Sequence, residues 1–370
     1  MKKKTVKVIL IILSAAIVVY LLSNRIMLRT GGDKNTTHKY LALFTEVSAL
    51  IRNHYVEKVD PETKFPEAFT TLFANLDESS AYLDTASTFG YLTYSKGEAC
   101  GLGILGRKGG EYFTVTGVIP DSPADSADIE PGDSIQTLNG KSLYGLSYWG
   151  MYLQLLSPEP KLFELTLKKE AGGDPKIISL ESARIKSPWD AGQVLPGIYY
   201  FPLMTMDKNT VTQLRRLLQN FDNCAWIFDL RYYLGGDLDS FIDCTALLLP
   251  RQILLIKKKG GVETVNIGSM QPSGVKAVYL IDSSTMLFSE LLAHVLKING
   301  ARLIGQESRG FVSHLKQFFL DDGSSVLLKA GHFELKAGQP LPSVVKPDVI
   351  LDTRDRNVLL KHCVKAMDGA

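Results

Sequence analysis

Ser122-Pro123-Ala124-Asp125-Ser126-Ala127-Asp128-Ile129-Glu130-Pro131-Gly132-Asp133-Ser134-Ile135, with Asn139-Gly140-Lys141 just beyond it, is the stretch of this 370-residue chain that decides how its middle folds. Ser122-Pro123-Ala124 opens a short helix that ends near Ile129. Pro131 then presets one backbone dihedral and Gly132 relieves the next, which makes a tight turn. Residues 134–138 alternate as a strand, and Asn139-Gly140 signals a hairpin. Upstream, residues 113–118 read as a strand. Downstream, residues 146–156 are helical in character and 163–167 close with another strand. Just before the first strand stands Gly101-Leu102-Gly103-Ile104. Glycines let the main chain come close to a ligand, and adjacent N–H donors there can form a nest for an anion.

Towards the N-terminus the periodicity is helical. Leu41, Phe44, Val47, Ile51 and Tyr55 share one face, Asp60-Pro61 interrupts, and Phe69, Leu72, Phe73 and Leu76 form a second run, read as two packed helices. Towards the C-terminus strands and helices alternate. A strand at 198–203 precedes a helix through Val211, Leu214, Leu217 and Leu218, and the apolar run 225–228 enters Asp229-Leu230-Arg231. After the turn Gly235-Gly236 come a helix at 241–249, a buried strand at 278–281, a helix at 288–298 and a strand at 302–304. Such alternation argues for an α/β sheet with parallel crossovers. The rest alternates as β from Phe318 and ends in a helix over 355–367.

A content of 45% hydrophobic and 22% charged residues, at a net charge of +2, is that of a folded protein. The lysine runs are short and no basic stripe interleaves with aromatics, so nucleic acid is not an expected partner. Cys100, Cys224, Cys244 and Cys363 form no C-x-x-C pair. They are expected to be buried free thiols rather than metal ligands or disulfides, and no metal or other cofactor is expected. Lys2, Lys3, Lys4 and Lys7 precede an uncharged stretch, residues 8–24, at the lower edge of what spans a bilayer. Basic residues on its N-terminal side favour leaving that end in the cytoplasm. Ser23-Asn24-Arg25-Ile26 offers no small-x-small cleavage pattern, which favours an uncleaved anchor over a signal peptide. Either way the bulk of the chain is expected outside the cytoplasmic membrane, on the periplasmic or cell-surface side of a single pass.

Several of these strings carry a resemblance. Residues 122–135 with Asn139-Gly140 are similar to the S-P-A-x-x-A-G-L-x-x-G-D-x-I…N-G signature of bacterial protease PDZ domains, with Asp128 in the usual glycine slot. The resemblance makes Gly101, Leu102, Gly103 and Ile104 the loop that receives a peptide's terminal carboxylate. Asn53-His54-Tyr55-Val56-Glu57, residues 76–84 (LDESSAYLD), Asp229-Leu230-Arg231-Tyr232-Tyr233-Leu234-Gly235-Gly236 and Lys346-Pro347-Asp348-Val349 resemble, in order, landmarks of the carboxy-terminal processing (tail-specific) peptidases. That resemblance implies a multi-domain α/β protein. Its expected parts are an anchor or signal segment (1–30), a helical segment (38–96), a PDZ domain (97–172) and a crotonase-like α/β core (173–370). It also implies that the helical segment interleaves with the C-terminal region.

In that family a serine in G-S-A-S-A-S-E is the nucleophile, and a lysine and glutamine in G-K-G-S-V-Q are its base and the base's orienter. Here the matching segments read Ser284-Thr285-Met286-Leu287-Phe288-Ser289-Glu290 and Gly310-Phe311-Val312-Ser313-His314-Leu315. The resemblance therefore places Leu287, Phe311 and Leu315 in the serine, lysine and glutamine slots, with Gly235-Gly236 as the remnant of the oxyanion turn. Leucine is no nucleophile and phenylalanine accepts no proton. A relocated site could draw on Ser283, Ser284, Ser289, Ser308, His294, His314 or Lys316, although a helix or strand spacing separates the nearest pairs. Ser283 and Ser284 read as turn and helix-cap residues. Three functions stay open: a membrane-tethered pseudopeptidase that binds polypeptide C-termini or unfolded segments and works with an active paralogue, a peptidase with relocated residues, and a structural envelope protein whose groove is filled from within.

Overall fold

The computed structural model describes residues 34–59, 61–221, 223–270, 276–336, 338–353 and 355–368. The expected anchor, residues 8–24, lies outside them. Among the described residues no helix is long and apolar enough to cross a membrane. The chain divides into two compact units, residues 1–64 and 65–370. In the first, Lys34–His54 is one helix. Its residues Leu41, Phe44, Val47 and Ile51 are exposed.

The second unit contains a six-stranded antiparallel sheet in the order Ile104–Gly109, Tyr112–Val118, Ser134–Leu138, Leu162–Lys168, Lys176–Glu181, with Lys141–Ser142 beside the third strand. Its sequence signals have direct physical causes. Asn139 (φ 49°) and Gly140 (φ 73°) both take left-handed geometry in the hairpin turn. Asp128, standing where the signature has glycine, is itself left-handed at φ 55°, a conformation that a short polar side chain tolerates. The turn after Pro131 is tied by the buried Asp133 carboxylate, which accepts from Glu130 N (3.0 Å), Glu170 N (3.1 Å) and Lys169 Nζ (3.0 Å). The sheet runs past residue 172 to Glu181, because Leu162–Lys168 and Lys176–Glu181 pair as a hairpin.

The α/β core is a second six-stranded sheet. Ile198–Pro202, Ala225–Asp229, Lys276–Ile281, Arg302–Gly305 and Val349–Ile350 run parallel, with Gly192–Leu195 antiparallel at one edge. Alternation along each strand separates its two faces. Tyr200, Ile227, Val278, Leu280 and Ile304 pack on Leu359, Cys363, Ala366 and Met367 of the helix Arg356–Asp368. Phe201, Trp226, Phe228, Tyr279, Ile281 and Leu303 belong to the main cluster, with Leu214 of helix Lys208–Asn220, Phe241 of Leu238–Leu248 and Leu292 of Leu287–Ile298.

A further sheet holds Ala81–Leu83, Ser325–Lys336, Gln252–Lys258 and Gly261–Ile267, with His314–Phe319 also paired to Ser325–Lys336. The pairing Ala81↔Leu327 realises the expected interleaving of the early segment with the C-terminal region. The string around it explains itself: Asp77 accepts from Ser79 N and Ser80 N, each at 2.7 Å, and Asp84 caps the helix Thr85–Ser95 through Ser87 N (2.7 Å). All four cysteines are free thiols, but Cys224 is only half-buried because it sits in the turn before Ala225–Asp229 rather than in the core.

Candidate functional site

The helix Leu287–Ile298 begins with a backbone outlier. Leu287 has φ 51°, left-handed geometry that a branched side chain adopts only at a cost. Its N–H donates to the carbonyl of Phe311 (2.8 Å), so these two residues meet through the main chain. Phe311 is buried, its ring meeting Tyr148 edge-on at 5.0 Å between centroids. Leu315 lies on the strand His314–Phe319 opposite Lys329, half-buried against the same apolar cluster.

One buried carboxylate ties the two segments together. Glu290 accepts from Gly310 N and Phe311 N, each at 2.7 Å, and from the Ser308 hydroxyl. Ser308 Oγ in turn accepts from Val345 N (2.7 Å). Burial raises the Glu290 carboxyl above its ordinary range, against the opposing pull of these donors. The loop 308–311 is therefore anchored to the helix that follows Leu287.

The nearby hydroxyls all have structural partners. Ser289 bonds the Met286 backbone, accepting from its N–H (3.3 Å) and donating to its carbonyl (2.9 Å), and so serves as the capping group at this helix start. Ser283 donates to Thr116 O (3.1 Å). Ser284 donates to Asp282 and accepts from Tyr232 N (2.7 Å), so it braces the segment after Arg231 and does not cap the helix. Ser313 pairs with Ser79 at 3.0 Å. His294 is buried with Nε2 unpartnered among the described residues, and burial pushes its pKa down to about 4. His314 packs its ring edge-on against Phe333, and burial, with Lys258 adding to it, lowers its pKa. Lys316 lies over the Phe318 ring. None of these serines is hydrogen-bonded to a histidine or lysine among the described residues.

Gly235 (φ 129°) and Gly236 form a short strand parallel to Thr205–Met206. A Cβ at Gly235 would stand 2.1 Å from the Tyr94 carbonyl, so only glycine fits this approach. The preceding Asp229 and Arg231 make a buried bidentate pair (2.8 and 2.6 Å), and Tyr200 Oη donates to the same carboxylate at 2.9 Å.

Gly101, Leu102, Gly103 and Ile104 border a cavity of about 310 Å³. The carbonyls of Leu102 and Gly103 accept from Ala124 and Ile119 (2.9 Å each), which fixes the loop on the short helix of the signature. Gly103, at φ 79°, faces Ser122, and a Cβ there would clash at 2.2 Å. The other wall brings Leu155, Leu156, Arg184, Ile185 and Lys186, the last three from the segment that follows the hairpin 162–181. Sequence reasoning missed Arg309. Its guanidinium lies over Tyr148 (4.4 Å) and Phe311 (4.7 Å) and donates to Gly106 O, and nothing local in the sequence marks it.

A small antiparallel domain with a glycine-walled loop, set against a parallel α/β core, is the build of a PDZ-containing processing peptidase. Comparison with known proteins agrees. Residues 197–351 match peptidase family S41 and residues 114–169 match the PDZ domain. The chain is 24% identical over 336 residues to the carboxy-terminal-processing protease of Bartonella bacilliformis, covering 87% of this chain and 77% of that one. It is 26% identical over 311 residues to carboxyl-terminal-processing peptidase 2, chloroplastic, of Arabidopsis thaliana, covering 78% of this chain and 57% of that one. Its fold is similar to that of a photosystem II D1 C-terminal processing protease, with a TM-score of 0.63 at 22% identity over 84% of this chain and 86% of that one. Residues 197–351 are thus a peptidase family S41 domain and residues 114–169 a PDZ domain, and the chain as a whole is similar to carboxy-terminal processing peptidases.

Proposed function

We propose that this chain is a pseudopeptidase: a member of its family that captures polypeptide C-termini or unfolded segments and performs no acyl transfer itself. The observation that carries this reading is the pair Leu287–Phe311. Leu287 opens a helix in a strained left-handed conformation, and strain of that kind clusters at functional sites. A leucine there packs against the main apolar cluster and supplies no nucleophile. Beside it, joined by the 2.8 Å backbone bond, Phe311 occupies the position that the motif match assigns to the general base. The hydroxyls within reach in sequence are committed to caps, turns and the Glu290 tie. Without a nucleophile and its base, remaining oxyanion donors supply little, because such groups act as a unit.

Residues 8–24 would tether the protein to the cytoplasmic membrane with its bulk outside, where it would deliver bound clients to an active protease paralogue. The test is the full chain in detergent micelles, assayed on casein and on an unfolded, C-terminally tagged protein beside an active relative. We expect no cleavage. Turnover that disappears on mutating any one nearby serine would overturn the reading. A purely structural role is the rival favoured by Arg309, which already sits on the Gly106 carbonyl; binding of free peptide separates the two.

A further inference from the structure

Among the described residues Ile104–Gly109 pairs only with Tyr112–Val118, which makes it the outermost strand of its sheet. Its open edge is where a captured tail would add as an antiparallel strand. Residues two apart along such an edge present equivalent backbone groups. With the tail's last residue at Ile104, beside the glycine loop, its third-from-last residue falls at Gly106.

These two places differ in chemistry. The first opens on the cavity beside the loop, with Leu102, Ile104, Leu155, Leu156 and Ile185 in its lining. The second is filled by a cation, since Arg309 donates to the Gly106 carbonyl and keeps its side chain only 5% exposed. The carboxylate facing that guanidinium is Glu78, 3.5 Å away and 53% exposed, which is a loose pair. Arg184 and Lys186 also line the cavity, and among the described residues neither has an ion-pair partner.

We propose that the groove selects acidic tails: C-termini with an apolar last residue and an aspartate or glutamate third from the end. Resting on the tail-capture reading above, this names the class of tail and makes Arg309 the residue that sets it. A neutral tail must displace the guanidinium from Gly106 and offers it no counter-charge. A basic side chain there adds repulsion. An acidic one takes the guanidinium as its own counter-ion, which replaces a bond to a neutral carbonyl by a charge-assisted pair.

The experiment uses the full chain in detergent micelles and fluorescent decapeptides that differ only in the third-from-last residue: Glu, Ala or Lys. The Glu peptide is also made with an amidated C-terminus. We expect the Glu tail to bind roughly tenfold more tightly than the Ala tail, the Lys tail to bind more weakly still, and the preference to shrink in high salt. Arg309→Gln should bring the Glu-to-Ala ratio close to one. If that variant does not fold, the three-peptide series and its salt dependence on the unaltered chain decide the matter. Equal affinities of all three tails, with amidation still abolishing binding, would overturn the acidic selectivity and leave tail capture standing. No binding of any tail would overturn tail capture itself.

Discussion

Phe311→Ala isolates what the ring contributes at the centre of the candidate site. The backbone bonds of this residue survive the change, since its N–H still reaches Glu290 and its carbonyl still accepts from Leu287. What is lost is a side chain with 4% residual exposure, its edge contact with Tyr148 and its face against Arg309. Truncating a buried phenylalanine costs about 3–5 kcal/mol, of which about 0.5–1.5 kcal/mol belongs to an aromatic pair. Urea denaturation followed by tryptophan fluorescence should show a correspondingly lower midpoint at unchanged slope. A cycle with Tyr148→Leu should recover the pair's share as a coupling energy. Phe311→Lys should be worse than alanine, because an ammonium would enter an apolar pocket already holding Arg309. Adding Leu287→Ser and Leu315→Gln should return part of that loss by giving the lysine polar neighbours. A loss below about 1 kcal/mol for Phe311→Ala would refute the reasoning, for it would mean that the ring is not a packed replacement for a polar group.

Acidification should weaken the fold through His294. Its folded pKa of about 4 lies below the ordinary 6.5, so the unfolded chain takes up the proton first as the pH falls. This contribution is intact above about pH 6.5 and is lost towards pH 4, by about 3 kcal/mol in all. His294→Met should flatten that part of the stability–pH profile, and an unchanged profile would remove histidine burial as its cause. Asp229→Asn leaves the Arg231 guanidinium, 7% exposed, without its bidentate partner. Denaturation should show a loss of about 3–5 kcal/mol, against a fraction of that for Asp348→Asn, whose ion pair with Lys297 is over a third exposed on both sides.

Local chemistry made much of the molecule legible in the sequence. A proline–glycine turn, an Asn-Gly hairpin and an aspartate in a left-handed position are decided by the dihedrals those residues allow, so the PDZ unit could be read before it was seen. The strand at 198–203 and the apolar run 225–228 were likewise legible, whereas the structure assigns Phe201, Trp226 and Phe228 to one face and Tyr200 and Ile227 to the other, by the two-residue period of a strand. The hairpin Gln252–Lys258 with Gly261–Ile267 escaped notice, because its partner strand Ser325–Lys336 is distant in sequence. The same holds for the site. Motif matching could bring Leu287 and Phe311 together on paper, but Glu290 as the tie between their segments depends on a helix and a loop meeting in space. Arg309 is the sharpest case. Its neighbours Gly106, Tyr148 and Glu78 come from three distant parts of the chain, and only their convergence turns a surface-looking arginine into a buried cation on the carbonyl of an outermost strand.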